Sequence, residues 1–327
     1  TMLVGGGGTK RMLSREIFQL LAAAAFATIV LGHDDIPADE ELGVPGFPDC
    51  VQTGPKGAQD RPDLSLECSQ KPIDFADQIA VGCIGDSITA GYGSSGKENT
   101  YPEQLGRLLG SSYKVTNLGA CGSTMQMHAD SPYWERPQFS ALVHGTWDVL
   151  VIMLGTNDAK DPGCRGNGPT NWPHECISDD GKTIDLRCPF AKDYAVMIDL
   201  VRTLGRGDQE PVIFVAIPPP LMKDGAYWMN QTVINDIFPA LVPGIAQKNR
   251  LSTQPVDVFS ALGGNNTAQI PDGGCTLESQ GIACPYFCDE QSCDQCHPNN
   301  HGYERLAETV AAAIKSSFLD SEIMEII

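Results

Sequence analysis

"QIAVGCIGDSITAGYG", residues 78–93, decides how the rest of the chain is read. Its first half is a short apolar run bounded by glycine, the pattern of a strand buried on both faces. At Asp86 and Ser87 the run turns polar, and Gly85 and Gly91 permit a tight turn around them. A serine where strand becomes loop or helix can present its hydroxyl at the edge of a sheet, beside an outward-aimed backbone N–H. Taken alone, a capping or turn role is the plainer reading of Ser87.

The alternation begun at residue 78 continues outward. "YPEQLGRLLG" (101–110) has Leu105, Leu108 and Leu109 at helical spacing, and "YKVTNLG" (113–119) and "WDVLVIMLG" (147–155) read as second and third strands. "FAKDYAVMIDLVRTLG" (190–205) is an amphipathic helix ended by Gly205. "PVIFVAIPPP" (211–220) is a fourth strand stopped by prolines. "VINDIFPALVPGIAQKN" (233–249) is helical but interrupted by Pro239 and Pro243. "PVDVFSAL" (255–262) reads as a fifth strand and "HGYERLAETVAAAIKSSF" (301–318) as a closing helix. Apolar strands alternating with helices predict an α/β fold: a five-stranded parallel sheet covered on both faces, a three-layer α/β/α sandwich of flavodoxin-like type. Such sheets place their sites beyond the carboxyl ends of the strands. Two cysteine-rich insertions, 159–189 and 263–296, break the regularity and read as loops stapled for want of a core of their own.

The strand ends therefore matter most. "NLGACGSTM" (117–125) brings Gly119 and Gly122, where backbone can approach another group closely. "GTNDAKD" (155–161) offers the Asn157 amide to the cleft and Asp158 as a cap or loop brace. "CDQCHPNN" (293–300) follows the last strand and has several readings. Cys293, Cys296 and His297 match the CxxCH pattern of haem attachment, and the same cysteines suit a redox pair. Cys288, Cys293, Cys296 and His301 have zinc-like spacing. Without the cysteines, Asp294 stands three residues before His297, close enough to hold its Nδ1–H.

Four ordinary motifs at four strand ends, in this order, resemble the blocks of the SGNH (GDSL-type) hydrolase family: "GDSIT", "NLGACG", "GTND" and "DQCHP". The resemblance covers residues 78–318 and leaves out the N-terminal stretch and the cysteine-rich loops. It implies that Ser87 is the nucleophile, His297 the general base and then acid, and Asp294 its orienting partner. It further implies an oxyanion hole of the Ser87 and Gly122 backbone N–H groups and the Asn157 side-chain amide. No metal and no cofactor is expected. Cys121 beside the oxyanion glycine and Cys293 and Cys296 around Asp294 depart from the pattern; the latter two are expected to be disulfide-bonded to loop partners, and Cys83 to be a free thiol.

Charge and location fit a soluble enzyme. The 327-residue chain carries 22 Lys and Arg against 41 Asp and Glu, a net charge of −19, which repels nucleic acid and anionic lipid. Lys10, Arg11 and Arg15 precede the apolar run "IFQLLAAAAFATIVLG" (17–32), short for a membrane span and suited to a secretory signal. Residues 1–32 are thus expected to be an upstream remnant and signal peptide, 33–77 an N-terminal extension, and 78–327 the hydrolase domain. Twelve cysteines behind such a segment imply disulfides in a secreted or lumenal protein. Asn230 and Asn265 begin glycosylation sequons. The expected activity is hydrolysis of short acyl esters, acetyl groups on carbohydrates foremost, through an acyl-enzyme. The alternatives are a lipid ester hydrolase and an O-acyltransferase using the same site; a non-catalytic carbohydrate-binding relative is disfavoured by the intact blocks. Trp172, Tyr227, Trp228 and Tyr286 lie beyond strand ends, where aromatic rings can stack on sugars or simply pack the inserted loops.

Overall fold

A computed structural model describes residues 78–161, 168–177, 184–279 and 281–326. The expected signal segment and extension, with Cys50, Cys68 and Cys164, lie outside the described residues.

Four strands, β1 (Ile79–Gly85), β2 (Tyr113–Gly119), β3 (Val149–Met153) and β4 (Val212–Val215), form one parallel sheet in the order β2-β1-β3-β4. Because successive side chains point to opposite faces, each strand feeds two cores. Ala80, Ile84, Leu150, Ile152 and Val215 pack on one side with α3 (Pro137–His144), α4 (Pro189–Arg202) and α5 (Phe238–Lys248). Val81, Cys83, Val149, Val151 and Phe214 pack on the other with α2 (Tyr101–Leu109) and α7 (Asn300–Ile326). The three-layer α/β/α arrangement is the one expected.

The fifth strand is not formed. Val256 makes one parallel bridge to Ala216, with its N–H on Val215 O at 2.8 Å and its carbonyl accepting from Ile217 N at 3.0 Å. Asp257 then caps a short helix, α6 (Val258–Ala261), by accepting from Ser260 N at 2.9 Å, so pairing stops after a single residue. The sheet thus has four strands where five were expected, with the bridge marking the fifth position. A π-helical turn, Val233–Ile237, leads directly into α5 at Pro239, and the helix continues through Pro243.

Both insertions are stapled as expected, the first by Cys176–Cys188 and the second by Cys275–Cys284 and Cys288–Cys293. Among the described residues, no helix is long and apolar enough to cross a membrane.

Candidate active site

Ser87 opens a one-turn helix, α1 (Ser87–Ala90), directly after β1. Asp86 caps that turn: its Oδ1 accepts from Ile88 N at 2.9 Å. The Asp86 carboxyl is buried, and burial pushes it up to about 6 against the opposing pull of the Ile88 N–H and the nearby His297. The end of β2 passes immediately beneath α1; a Cβ on Gly119 would lie 2.2 Å from Ala90 N, so only glycine allows the approach.

The Oγ of Ser87 lies 2.8 Å from His297 Nε2, and His297 Nδ1 lies 2.6 Å from Asp294 Oδ2. Asp294 Oδ1 accepts from the backbone N–H of Cys296 at 3.0 Å and of His297 at 2.8 Å. Burial acts to raise the Asp294 carboxyl, but the His297 ring and these two N–H groups outweigh it and hold the group at about 2. The imidazole is buried and packed against Tyr92, ring centroids 4.5 Å apart, and edge-on against Tyr227 at 5.4 Å. Tyr303 of α7 donates to the Tyr92 carbonyl at 2.6 Å, tying the closing helix to the loop after Ser87.

The other expected residues stand at the neighbouring strand ends. Gly122 adopts φ 75°, a left-handed turn suited to glycine. Asn157, just past β3, donates through Nδ2 to Ser123 O at 3.2 Å, so the amide reaches the segment that follows Gly122. Asp158 strengthens the same link by accepting from Met125 N and Gln126 N, both at 2.8 Å. Its carboxyl is pushed up to about 7 by burial, with these N–H groups pulling it down. Sequence reading missed Lys160, whose buried ammonium pairs with Asp130 at 2.9 Å beneath this loop. A lysine following "GTNDA" carried no pattern that would have betrayed its burial.

The cysteines behave differently from expectation in one respect. Cys293 is bonded to Cys288, and Cys121 is also disulfide-bonded, but Cys296 is a buried free thiol, its Sγ 3.9 Å from Met229 Sδ. Cys296 faces the core rather than the loop, and the loop cysteines satisfy one another. Gln295 supplies the brace instead. Its Nε2 donates to the carbonyls of Cys275 and Cys293, both at 3.0 Å, and its Oε1 accepts from Cys275 N at 2.7 Å. Cys83 is free and buried as expected, and burial pushes its thiol up to about 12. Among the described residues, no group of three or more His, Cys, Asp or Glu is disposed to hold a metal ion.

Of the four aromatic residues considered for sugar stacking, Trp172 is buried against Phe190 and Phe238 and so belongs to the core. Tyr286 packs on His301, ring centroids 4.9 Å apart. Tyr227 donates its hydroxyl to Asp294 Oδ2 at 3.0 Å, a contact that sequence reading did not foresee.

Residues 83–305 match the family model of the GDSL-like lipase/acylhydrolases. The chain is similar to an acetylxylan esterase of Xylanibacter ruminicola, 28% identical over 268 residues, 77% of this chain and 46% of that protein. It therefore spans about half the length of the curated relative it matches. Similar solved structures include a carbohydrate acetylesterase from Sinorhizobium meliloti, 16% identical with a TM-score of 0.48 over 73% of this chain and 99% of that one. Another is the native aryl esterase of M. smegmatis, 18% identical with a TM-score of 0.46 over the same 73% and 99%.

Proposed function

Since the chain belongs to the GDSL-like lipase/acylhydrolase family, we propose that it hydrolyses carboxylic esters through an acyl-enzyme formed on Ser87. The observation that carries this reading is the Ser87–His297–Asp294 chain of hydrogen bonds at 2.8 and 2.6 Å. His297 Nε2 takes the Ser87 proton as Oγ bonds to the ester carbon, and the negative charge moves to the former carbonyl oxygen. The Ser87 and Gly122 N–H groups and the Asn157 amide stabilise that oxygen. His297 then returns the proton to the departing alcohol, and the C–O ester bond breaks. A water molecule attacks the acyl-enzyme by the same route, its proton going to His297 and thence to Ser87 as the acid leaves. Asp294 stays ionised throughout, holding the ring tautomer and stabilising the imidazolium.

The proposed substrate is a short acyl ester on a carbohydrate, acetyl above all. The similarity to an acetylxylan esterase over 77% of the chain supports it. The disulfides among the described residues support an oxidising, extracellular or lumenal location. A turnover screen tests the reading by comparing acetylated xylan and p-nitrophenyl acetate with long-chain acyl esters and a lysophospholipid, a free sugar acceptor being included. Preference for the acetyl substrates, with acetate released, is the expected result. Preference for long acyl chains would move the assignment to lipid esters, and esterification of the acceptor would move it to acyl transfer.

A further inference from the structure

The segment from Met222 to Asn230 links the two halves of the site. At one end Met222 N donates to Gln295 O at 2.8 Å, between Asp294 and His297 in the chain. At the other, Asn230 N donates to Ala159 O at 2.9 Å and Trp228 O accepts from Asp161 N at 3.0 Å, in the loop that carries Asn157. Between these anchors, Tyr227 (φ 50°, ψ 32°) and Trp228 (φ 62°) take up successive left-handed conformations, which residues with a side chain rarely adopt. A knot of backbone bonds holds them there: Gly225 N to Met229 O at 2.9 Å, Trp228 N to Gly225 O at 3.1 Å and Met229 N to Ala226 O at 2.9 Å. The result of this unusual backbone is to aim the Tyr227 phenol at Asp294.

We propose that Tyr227 is a positioning residue for the reaction, its hydroxyl holding Asp294 Oδ2 and, through it, His297 in register with the Asn157 loop. The inference rests on the reading of Ser87, His297 and Asp294 as the hydrolytic site. The carboxylate has places for about four donors. Cys296 and His297 N–H groups fill Oδ1, and the imidazole shares Oδ2 with the phenol. The phenol is neutral, because burial and the Asp294 charge both disfavour its ionisation. It therefore draws charge away from the oxygen that faces His297 without adding a charge of its own. The remaining groups about the ring are Tyr92, Ser87 and the buried Asp86.

Tyr227→Phe removes the hydroxyl and keeps the ring against His297. Loss of a hydrogen bond to a charged group predicts that kcat for p-nitrophenyl acetate falls roughly 10- to 50-fold while KM changes less than about twofold. With more negative charge left on Asp294, the imidazolium is favoured, and the acidic limb of kcat/KM moves to higher pH. In an Asp294→Ala background the same substitution is expected to change kcat by less than about twofold, because its effect passes through the carboxylate. Wild-type kcat and an unmoved acidic limb in Tyr227→Phe would overturn the proposal, as would an equal loss in both backgrounds. Ser87→Ala, assayed alongside, separates the two readings: if it retains turnover the hydrolytic site is wrong, whereas if it is inactive and Tyr227→Phe is unimpaired only the role of Tyr227 is.

Discussion

Ser87 Oγ and His297 Nε2 lie 2.8 Å apart although 210 positions separate them in the chain. The sheet makes this meeting possible. Ser87 is fixed to the end of β1 by its capping Asp86, and His297 is carried by the loop just before α7, which packs on α2. With Asp294 and two aromatic rings holding the imidazole, little reorganisation is needed for the proposed proton transfer.

The Asn157 amide rests on Ser123 O at 3.2 Å, and in the proposed reaction it turns toward the oxyanion. Asn157→Ala is expected to lower kcat on short esters roughly 10²- to 10³-fold with little change in KM, as for loss of one oxyanion donor. Steady-state kinetics check it. A rise in KM with kcat preserved would place Asn157 in ground-state binding instead.

Stability should peak on the acidic side of neutrality. Asp294, held at about 2, contributes stability that is present above its ordinary 3.8 and is lost as pH falls toward 2. Asp86 and Asp158 act in the opposite sense. Raised to about 6 and about 7, they favour the folded state while protonated, and that stability is lost as pH rises from 3.8 through those values. Each group is worth on the order of 2–4 kcal/mol. Thermal melts should therefore show a maximum near pH 4 and a decline to pH 7. Asp86→Asn should flatten the decline between pH 4 and about 6.

Gln295 ties Asp294 and His297 to the second insertion, whose shape depends on Cys275–Cys284 and Cys288–Cys293. Gln295→Ala should lower kcat/KM roughly 5- to 20-fold, consistent with the loss of several neutral hydrogen bonds that fix a reactive loop. Treatment with dithiothreitol should lower activity in step with reduction of these two disulfides. Full activity in the reduced protein would show that the loop holds its shape unaided.

Cys83 and Cys296 are buried thiols whose ionisation is disfavoured by burial. Neither should react with iodoacetamide in the folded protein, and both should be alkylated after denaturation without reductant. Peptide mapping reads both outcomes. Protection of Cys296 after denaturation would mean that it is disulfide-bonded after all.

Sequence reading reached the fold and the candidate site because both rest on local signals. β1 and β3 are short apolar runs closed by glycine, β2 also ends at a glycine, and Ser87, Gly122, Asn157, Asp294 and His297 stand in compact motifs at or beyond strand ends. Val256 escaped it because "PVDVF" has the composition of a strand, while the Asp257 cap competes locally for the same residues. The free thiol of Cys296 was hidden for a different reason: spacing cannot tell which way a cysteine in a loop points. Tyr227 was legible only as a loop aromatic that could stack on a sugar or pack the inserted loops. Its contact with Asp294 depends on a left-handed backbone that neither Ala226 nor Trp228 announces.

The proposed reaction stands or falls with Ser87 as the nucleophile. The most direct measurement is to treat the folded protein with a fluorophosphonate and locate the adduct by peptide mass spectrometry. One adduct is expected, on Ser87, formed in proportion to the loss of ester turnover, with Ser87→Ala unlabelled and inactive. An adduct on another residue that abolishes turnover, or undiminished turnover by Ser87→Ala, would contradict it.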